Sequence, residues 1–270
     1  MLGFIGSLLV VMIMTFIVLI IKRIIIENSN NQTTRRHRNI HVNQPSKNWS
    51  SKVIPHPNSK PIEPSVRHPS YKEASGNGFL STFLNKGNYG EYLTYKELTR
   101  LKGYHRVMTN LYIPTKSGKS TELDLVMISQ KGIFVLESKN YSGWIFGDER
   151  NKNWMQMLPG GRKFPFFNPI WQNSGHIQAL KAVVGIEEDS YYHSYIIFSE
   201  RCTLKQIQVT SPNVVVIKRN RLIATIKQTI QQTEDKLTTK EIDQLYERLR
   251  EYTLVDAETK QAHIRQVSKR

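Results

Sequence analysis

Two apolar runs joined by a four-residue turn constrain this chain more than any other feature. Residues 121–128 and 132–140 are rich in β-branched and aliphatic side chains and bounded by polar residues or glycine, the pattern of short strands. Ser129-Gln130-Lys131-Gly132 between them suits a tight hairpin, with Gly132 free to take a positive φ. Side chains alternate along a strand, which assigns Val135, Glu137 and Lys139 to one face and Phe134, Leu136 and Ser138 to the other. With a rise of about 3.3 Å per residue, Glu137 and Lys139 emerge roughly 6–7 Å apart at Cα. The same rule places Glu122, Asp124, Val126 and Ile128 on a common face. Pairing then brings Asp124 beside Glu137 at the end away from the turn.

Two carboxylates and an amine held together suit a hard divalent cation such as Mg²⁺, which takes oxygen ligands and keeps several waters. The amine can orient an attacking water and stabilise charge on a phosphate. A plainer reading stands beside this one: Glu-x-Lys on a strand as a solvated surface pair, and Asp124 as a strand-end residue. The apolar context favours chemistry, because charged side chains in buried strands are seldom without a purpose.

The chain of 270 residues carries a net charge of +16, so a polyanion is a natural partner; nucleic acid and an anionic membrane both fit. The single Cys202 excludes an intramolecular disulfide and a cysteine-based zinc site. Residues 2–21 hold no charge and are long enough, at about 1.5 Å per residue, to cross a hydrocarbon core of roughly 30 Å. Lys22 and Arg23 follow this run and no basic residue precedes it, which argues for a retained anchor over a cleaved signal peptide. The positive-inside rule then places the remainder in the cytoplasm and the N-terminus outside. The domain division expected is an anchor at 1–21, a disordered basic linker at 22–78, a core domain at 79–218 and a helical extension at 219–270 with a frayed tail. The linker holds six of the eleven prolines and ten basic residues against three acidic ones.

Residues 87–101 read as a helix closed by Gly103, with Asn88 and Glu91 spaced as a capping box; the same Glu91 also suits an accessory carboxylate. Lys116 and Lys119 flank a glycine in one loop, and Arg162 and Lys163 follow Pro159-Gly160-Gly161 in another; all four are candidate phosphate contacts. The aromatics Tyr141, Trp144, Phe146 and Trp154 suit either base stacking or core packing, the second being the more ordinary role. Asn168-Pro169 opens a helix on which Gln172 and His176, four apart, share a face. His176 reads as a packing or hydrogen-bonding residue. Residues 195–198 and 214–217 read as buried strands, and 219–231 and 239–252 as amphipathic helices.

Taken together, Gly87-Asn88-Tyr89-Gly90-Glu91, Glu122-Leu123-Asp124-Leu125-Val126, Val135-Leu136-Glu137-Ser138-Lys139-Asn140 and Asn168-Pro169-Ile170-Trp171-Gln172 with His176 resemble the NERD (nuclease-related) domain over about residues 85–200. That family is similar to the PD-(D/E)XK nucleases; here Leu123 stands where a proline precedes the aspartate in the superfamily's name. The resemblance implies an α/β fold, a mixed central sheet flanked by helices with a restriction-endonuclease-like core. It implies Asp124 and Glu137 as metal ligands, Lys139 as the catalytic amine, and Glu91 and Gln172 as supporting residues. The reaction expected is Mg²⁺- or Mn²⁺-assisted hydrolysis of nucleic acid, DNA in the first instance, on a membrane-anchored domain. Two alternatives remain: a silent nucleic-acid-binding or partner-docking module, and a secreted nuclease if residues 1–21 are removed.

Overall fold

The computed structural model describes residues 66–115 and 117–255, with 259 and 261, all within one compact unit spanning Lys60–Arg270. The expected anchor at 1–21, most of the linker, Lys116 and nearly all of the tail lie outside the described residues. Among those described, no helix is long and apolar enough to cross a membrane.

Helices α1 (Tyr71–Ser75), α2 (Phe79–Leu84) and α3 (Lys86–Leu98) precede strands β1 (His105–Pro114), β2 (Ser120–Ser129) and β3 (Gly132–Lys139). Strands β4 (Gly143–Asp148), β5 (Asn153–Met157) and β6 (Lys163–Phe167) follow, then α4 (Pro169–Val184), β7 (Tyr192–Phe198), β8 (Cys202–Gln208) and β9 (Val214–Lys218). Helices α5 (Leu222–Gln232) and α6 (Thr239–Arg250) close the described chain.

The class is mixed α/β, as expected, but the strands form two sheets where one was anticipated. The larger runs β1-β2-β3-β7-β9 and the smaller β6-β5-β4-β8. In the larger sheet β1, β2 and β3 pair antiparallel, and β3, β7 and β9 pair parallel. The hairpin between β2 and β3 forms as the sequence suggested, with Gly132 at φ 114° opposite Ser129. One face of this sheet, including Leu125, Met127, Phe134 and Leu136, packs against Leu98 of α3 and Leu222 and Ile226 of α5. The other face, including Val126, Ile128, Ile133 and Val135, packs against Ile177 and Leu180 of α4 and Ile242 and Leu249 of α6. A third cluster joins the sheets: Ile145 and Trp154 from the smaller meet Ile196 and Phe198 from the larger. Strand β9 is half-buried rather than fully covered, as an edge strand would be.

Strict alternation fails at one place, and it is the place that matters. Met108 and Leu111 join the same face cluster although they stand three positions apart, and so do Leu123 and Val126 on the neighbouring strand. Between the first pair lies Asn110, buried and held at φ 55°, in the left-handed region that ordinary side chains avoid. Between the second pair lies Asp124. Glu122 and Asp124 therefore do not share a face with Val126 and Ile128 in the regular way anticipated.

Two further expectations change. Tyr71–Ser75, assigned to the linker, is a helix with a complete capping box from Ser70 and Glu73, and Tyr71 is buried. Helix α3 begins three residues earlier than its presumed cap: Asn85 is the N-cap, accepting from the amides of Gly87 and Asn88. Glu91 is thus freed from the capping box.

Candidate active site

The β2–β3 ladder ends at Leu125↔Leu136, one step short of Asp124 and Glu137. In place of a further backbone bond, the Ser138 amide donates to Asp124 Oδ2 at 2.8 Å. The carboxylate is thereby fixed against β3 at the point where the two strands stop pairing. Strand β3 runs on beside β7, with Glu137 opposite Ile196 and Lys139 opposite Phe198. Thr109 braces the other side of the same position, its hydroxyl donating to the Asp124 carbonyl at 2.8 Å.

Lys139 gathers the site. Its Nζ donates to Glu137 Oε1 at 2.6 Å and to Gln172 Oε1 at 3.0 Å. Helix α4, which supplies Gln172, is pinned by asparagines. Asn168 caps it through the Ile170 amide and donates from Nδ2 to the Glu149 and Asn151 carbonyls. The fully buried Asn173 donates to the Val135 carbonyl of β3 and to Ser194 Oγ of β7, both at 2.9 Å. One turn beyond Gln172, His176 Nδ1 lies 3.4 Å from Glu137 Oε2.

On the opposite side, α3 comes in closely because Gly90 has no side chain. A Cβ there would sit 3.2 Å from Asn140 Cβ and 3.3 Å from Ser138 Oγ, tighter than such contacts normally run. This approach carries Glu91 to the cluster, where the Tyr71 hydroxyl donates to its Oε2 at 3.3 Å. Glu122, whose Oε1 accepts from the Tyr112 hydroxyl at 2.6 Å, adds another carboxylate.

The electrostatics follow from burying several acids beside one amine. Asp124 is held well above the usual carboxylate range, first by burial and then by the charges of Glu137 and Glu91. Glu91 is pushed up to about 7 by burial, by Glu122 and by Glu137, with the Tyr71 hydroxyl pulling the other way. Burial works against the Lys139 ammonium, yet Glu137 and Asp124 outweigh it and raise its pKa. Lys139 is therefore a cation at neutral pH and not a base.

This donor set fits a divalent cation. Glu137 is 2 % exposed, and its Oε2, with His176 Nδ1 3.4 Å away, makes no hydrogen bond among the described residues. The carboxyl groups gathered here also outnumber the one ammonium. Among the described residues, however, no three His, Cys, Asp or Glu side chains form a ready-made ligand group. That composition suits an ion which keeps most of its own water.

Of the residues singled out in the sequence, Asp124, Glu137, Lys139, Gln172 and Glu91 converge. Lys119 is exposed in the β1–β2 loop, and Arg162 and Lys163 are exposed at the start of β6, on the second sheet. The sequence reading gave no site role to Tyr71, Asn173 or the Ser138 amide, and placed Glu122 in the Asp124 motif without one. Arg201, read from the sequence as a structural strand-end residue, donates to the Asn140 carbonyl and side chain at 2.9 and 3.0 Å beside the site. The Asn-Ser pairing behind α4 leaves no mark in local sequence; only the Glu122-x-Asp124 spacing offered a signal.

Comparison with known proteins supplies an independent view. Residues 86–199 match the model of the nuclease-related domain, a span that contains all five converging residues. An uncharacterised protein of Bacillus anthracis is 32 % identical over 182 residues, covering 67 % of this chain and 82 % of that protein. No solved structure matches.

Proposed function

The chain belongs to the nuclease-related (NERD) domain family, and from that premise we propose that it is a membrane-anchored, metal-dependent nuclease hydrolysing phosphodiester bonds, with DNA as substrate. The observation that carries the reading is the bridging position of Lys139, whose ammonium joins the buried Glu137 to Gln172 beside the half-buried Asp124. An amine fixed in this way has both its charge and its direction set before substrate arrives.

Asp124 and Glu137 would hold the ion, which when bound supplies charge neutralisation at the phosphate and a more acidic water. Lys139, kept protonated by its neighbours, donates hydrogen bonds to the attacking water or to a phosphate oxygen and stabilises the charge that grows there. Gln172 fixes the ammonium's direction through its carbonyl oxygen. The Ser138 amide prevents Asp124 from swinging away, and Glu91 offers a carboxylate whose pKa of about 7 suits taking or giving a proton near neutrality. The basic surface attracts phosphates irrespective of sequence. Residues 2–21 are the proposed anchor, with the domain on the cytoplasmic side.

The test is nicking of supercoiled plasmid by the full chain in detergent, with Mg²⁺ or Mn²⁺ and with EDTA. Metal-dependent nicking that disappears in Asp124→Ala and Lys139→Ala is the expected result. Equal nicking by wild type and variants would reject the mechanism. Salt-dependent DNA binding without turnover would mark a silent binding module.

A further inference from the structure

The second sheet carries a surface feature that the catalytic cluster does not use. Trp144, on β4, is 47 % exposed, although its neighbour Ile145 is wholly buried between the sheets. Its partners across the sheet are Thr203 on β8 and Met157 on β5, and Met157 in turn faces Lys163 on β6. Residues directly opposite one another point to the same side, so these four form one row on the outer face. Lys205, two residues beyond Thr203, belongs to that face too, and its Nζ lies over the indole, 5.2 Å from the ring centroid.

Beside the indole is a cleft of about 350 Å³, lined by Gly143, Met157, Leu158, Pro159, Gly160 and Gly161 together with Trp144 itself. No carboxylate lines it. Arg162, in the adjoining turn, and Lys163 are both exposed. The face therefore offers a flat aromatic surface and an uncharged slot with three cations around them. Flat and apolar at the centre with cations at the rim is the complement of an unpaired base flanked by phosphates. A protein partner with an apolar anchor would also fill the slot, but it would have no use for that ring of positive charge. Trp144 is five residues from Lys139, so the two lie within about 18 Å along the chain's full reach. A short run of nucleotides covers that distance.

We infer that this face is a stacking subsite for an unpaired base: Trp144 is the platform, Lys163, Lys205 and Arg162 hold the neighbouring phosphates, and the strand presented to the site is single. The inference rests on the nuclease reading for its class of ligand and goes further in naming single-stranded nucleic acid. Double helix keeps its bases stacked on each other and cannot offer one to the indole.

Binding, measured without cleavage, separates the two claims. The full chain carrying Asp124→Asn, in detergent and EDTA, is titrated into a fluorescein-labelled oligothymidine of roughly 12 nucleotides, within the span of about 4–16 that one binding fold covers, and into a duplex of equal length. Trp144→Ala should weaken single-strand affinity about tenfold or more, while leaving duplex affinity within about twofold. Trp144→Phe should restore most of it, and Lys205→Gln with Lys163→Gln should flatten the salt dependence on the single strand. Trp171→Ala, a second exposed tryptophan on α4, serves as the control and should change little. Equal losses on both ligands, no loss at all, or Trp144→Phe as poor as alanine would overturn the inference. An active nuclease whose single-strand binding ignores Trp144 sinks the subsite alone. An inactive protein that still needs Trp144 to bind single strands sinks only the nuclease reading.

Discussion

Removing the Lys139 ammonium leaves Glu137 buried without its ion-pair partner, and leaves Gln172 Oε1 without its donor. Breaking a buried pair from one side costs about 3 kcal/mol or more, because the remaining charge has no water to return to. Lys139→Ala should therefore lower the urea midpoint as well as reduce nicking by roughly a hundredfold or more. Lys139→Arg should recover stability in larger measure than activity. A second expectation concerns pH. Glu91 titrates near 7 in the folded protein, above its ordinary value of 4.5, so the folded state holds its proton more tightly than the unfolded chain does. That preference stabilises the fold below 4.5 and is lost as pH climbs to about 7. Asp124, displaced in the same direction, adds to the loss. Metal-free protein should melt at lower temperature at pH 7 than at pH 5. Mg²⁺ should raise the melting temperature more at the higher pH, since ligands must give up protons to hold it. A flat metal-free profile across this window would contradict the electrostatics described.

Two elements set the site's dimensions. Helix α3 lies against β3 only as closely as Gly90 permits, and α4 is held by Asn168 and Asn173. Gly90→Ala should move Glu91 outward by a few tenths of an ångström and reduce turnover with little effect on nucleic-acid affinity. Asn168→Ala loses a cap worth about 1–2 kcal/mol and further hydrogen bonds, so it should lower melting temperature and activity together. Differential scanning fluorimetry beside nicking rates separates the two cases. At this scale the sequence was informative where a pattern was local. The β2–β3 hairpin announced itself through two apolar runs around a glycine turn, and α4 through Asn168-Pro169. What was hidden depended on distant partners or on a single departure from a rule. Strand β4 joins β8, some sixty residues away, in a sheet of its own, and no local pattern encodes that partnership. Asn85 and Asn88 are equally good caps by type; the choice between them is made by which backbone amides come within reach. The left-handed Asn110 breaks an alternation that every other residue of β1 would have supported.

Across the whole molecule, charge and reach matter more than any one contact. An excess of sixteen positive charges makes association with nucleic acid strongly dependent on ionic strength. For an interface using about three phosphate contacts, the logarithm of the single-strand binding constant should fall with the logarithm of salt concentration at a slope of roughly −2. Titrations between about 50 and 200 mM NaCl check this, and a slope near zero would mean that the basic face plays no part.

The termination of the β2–β3 ladder at Leu125↔Leu136 has a consequence for how the protein comes to life. Asp124, Glu137 and Lys139 belong to a single hairpin and its margin, and contacts so near in sequence close early. Gln172 reaches Lys139 only from 33 residues further on, after three strands of the other sheet have been made. A refolding protein should bury the hairpin first and gain competence later, when α4 arrives to latch the lysine in place.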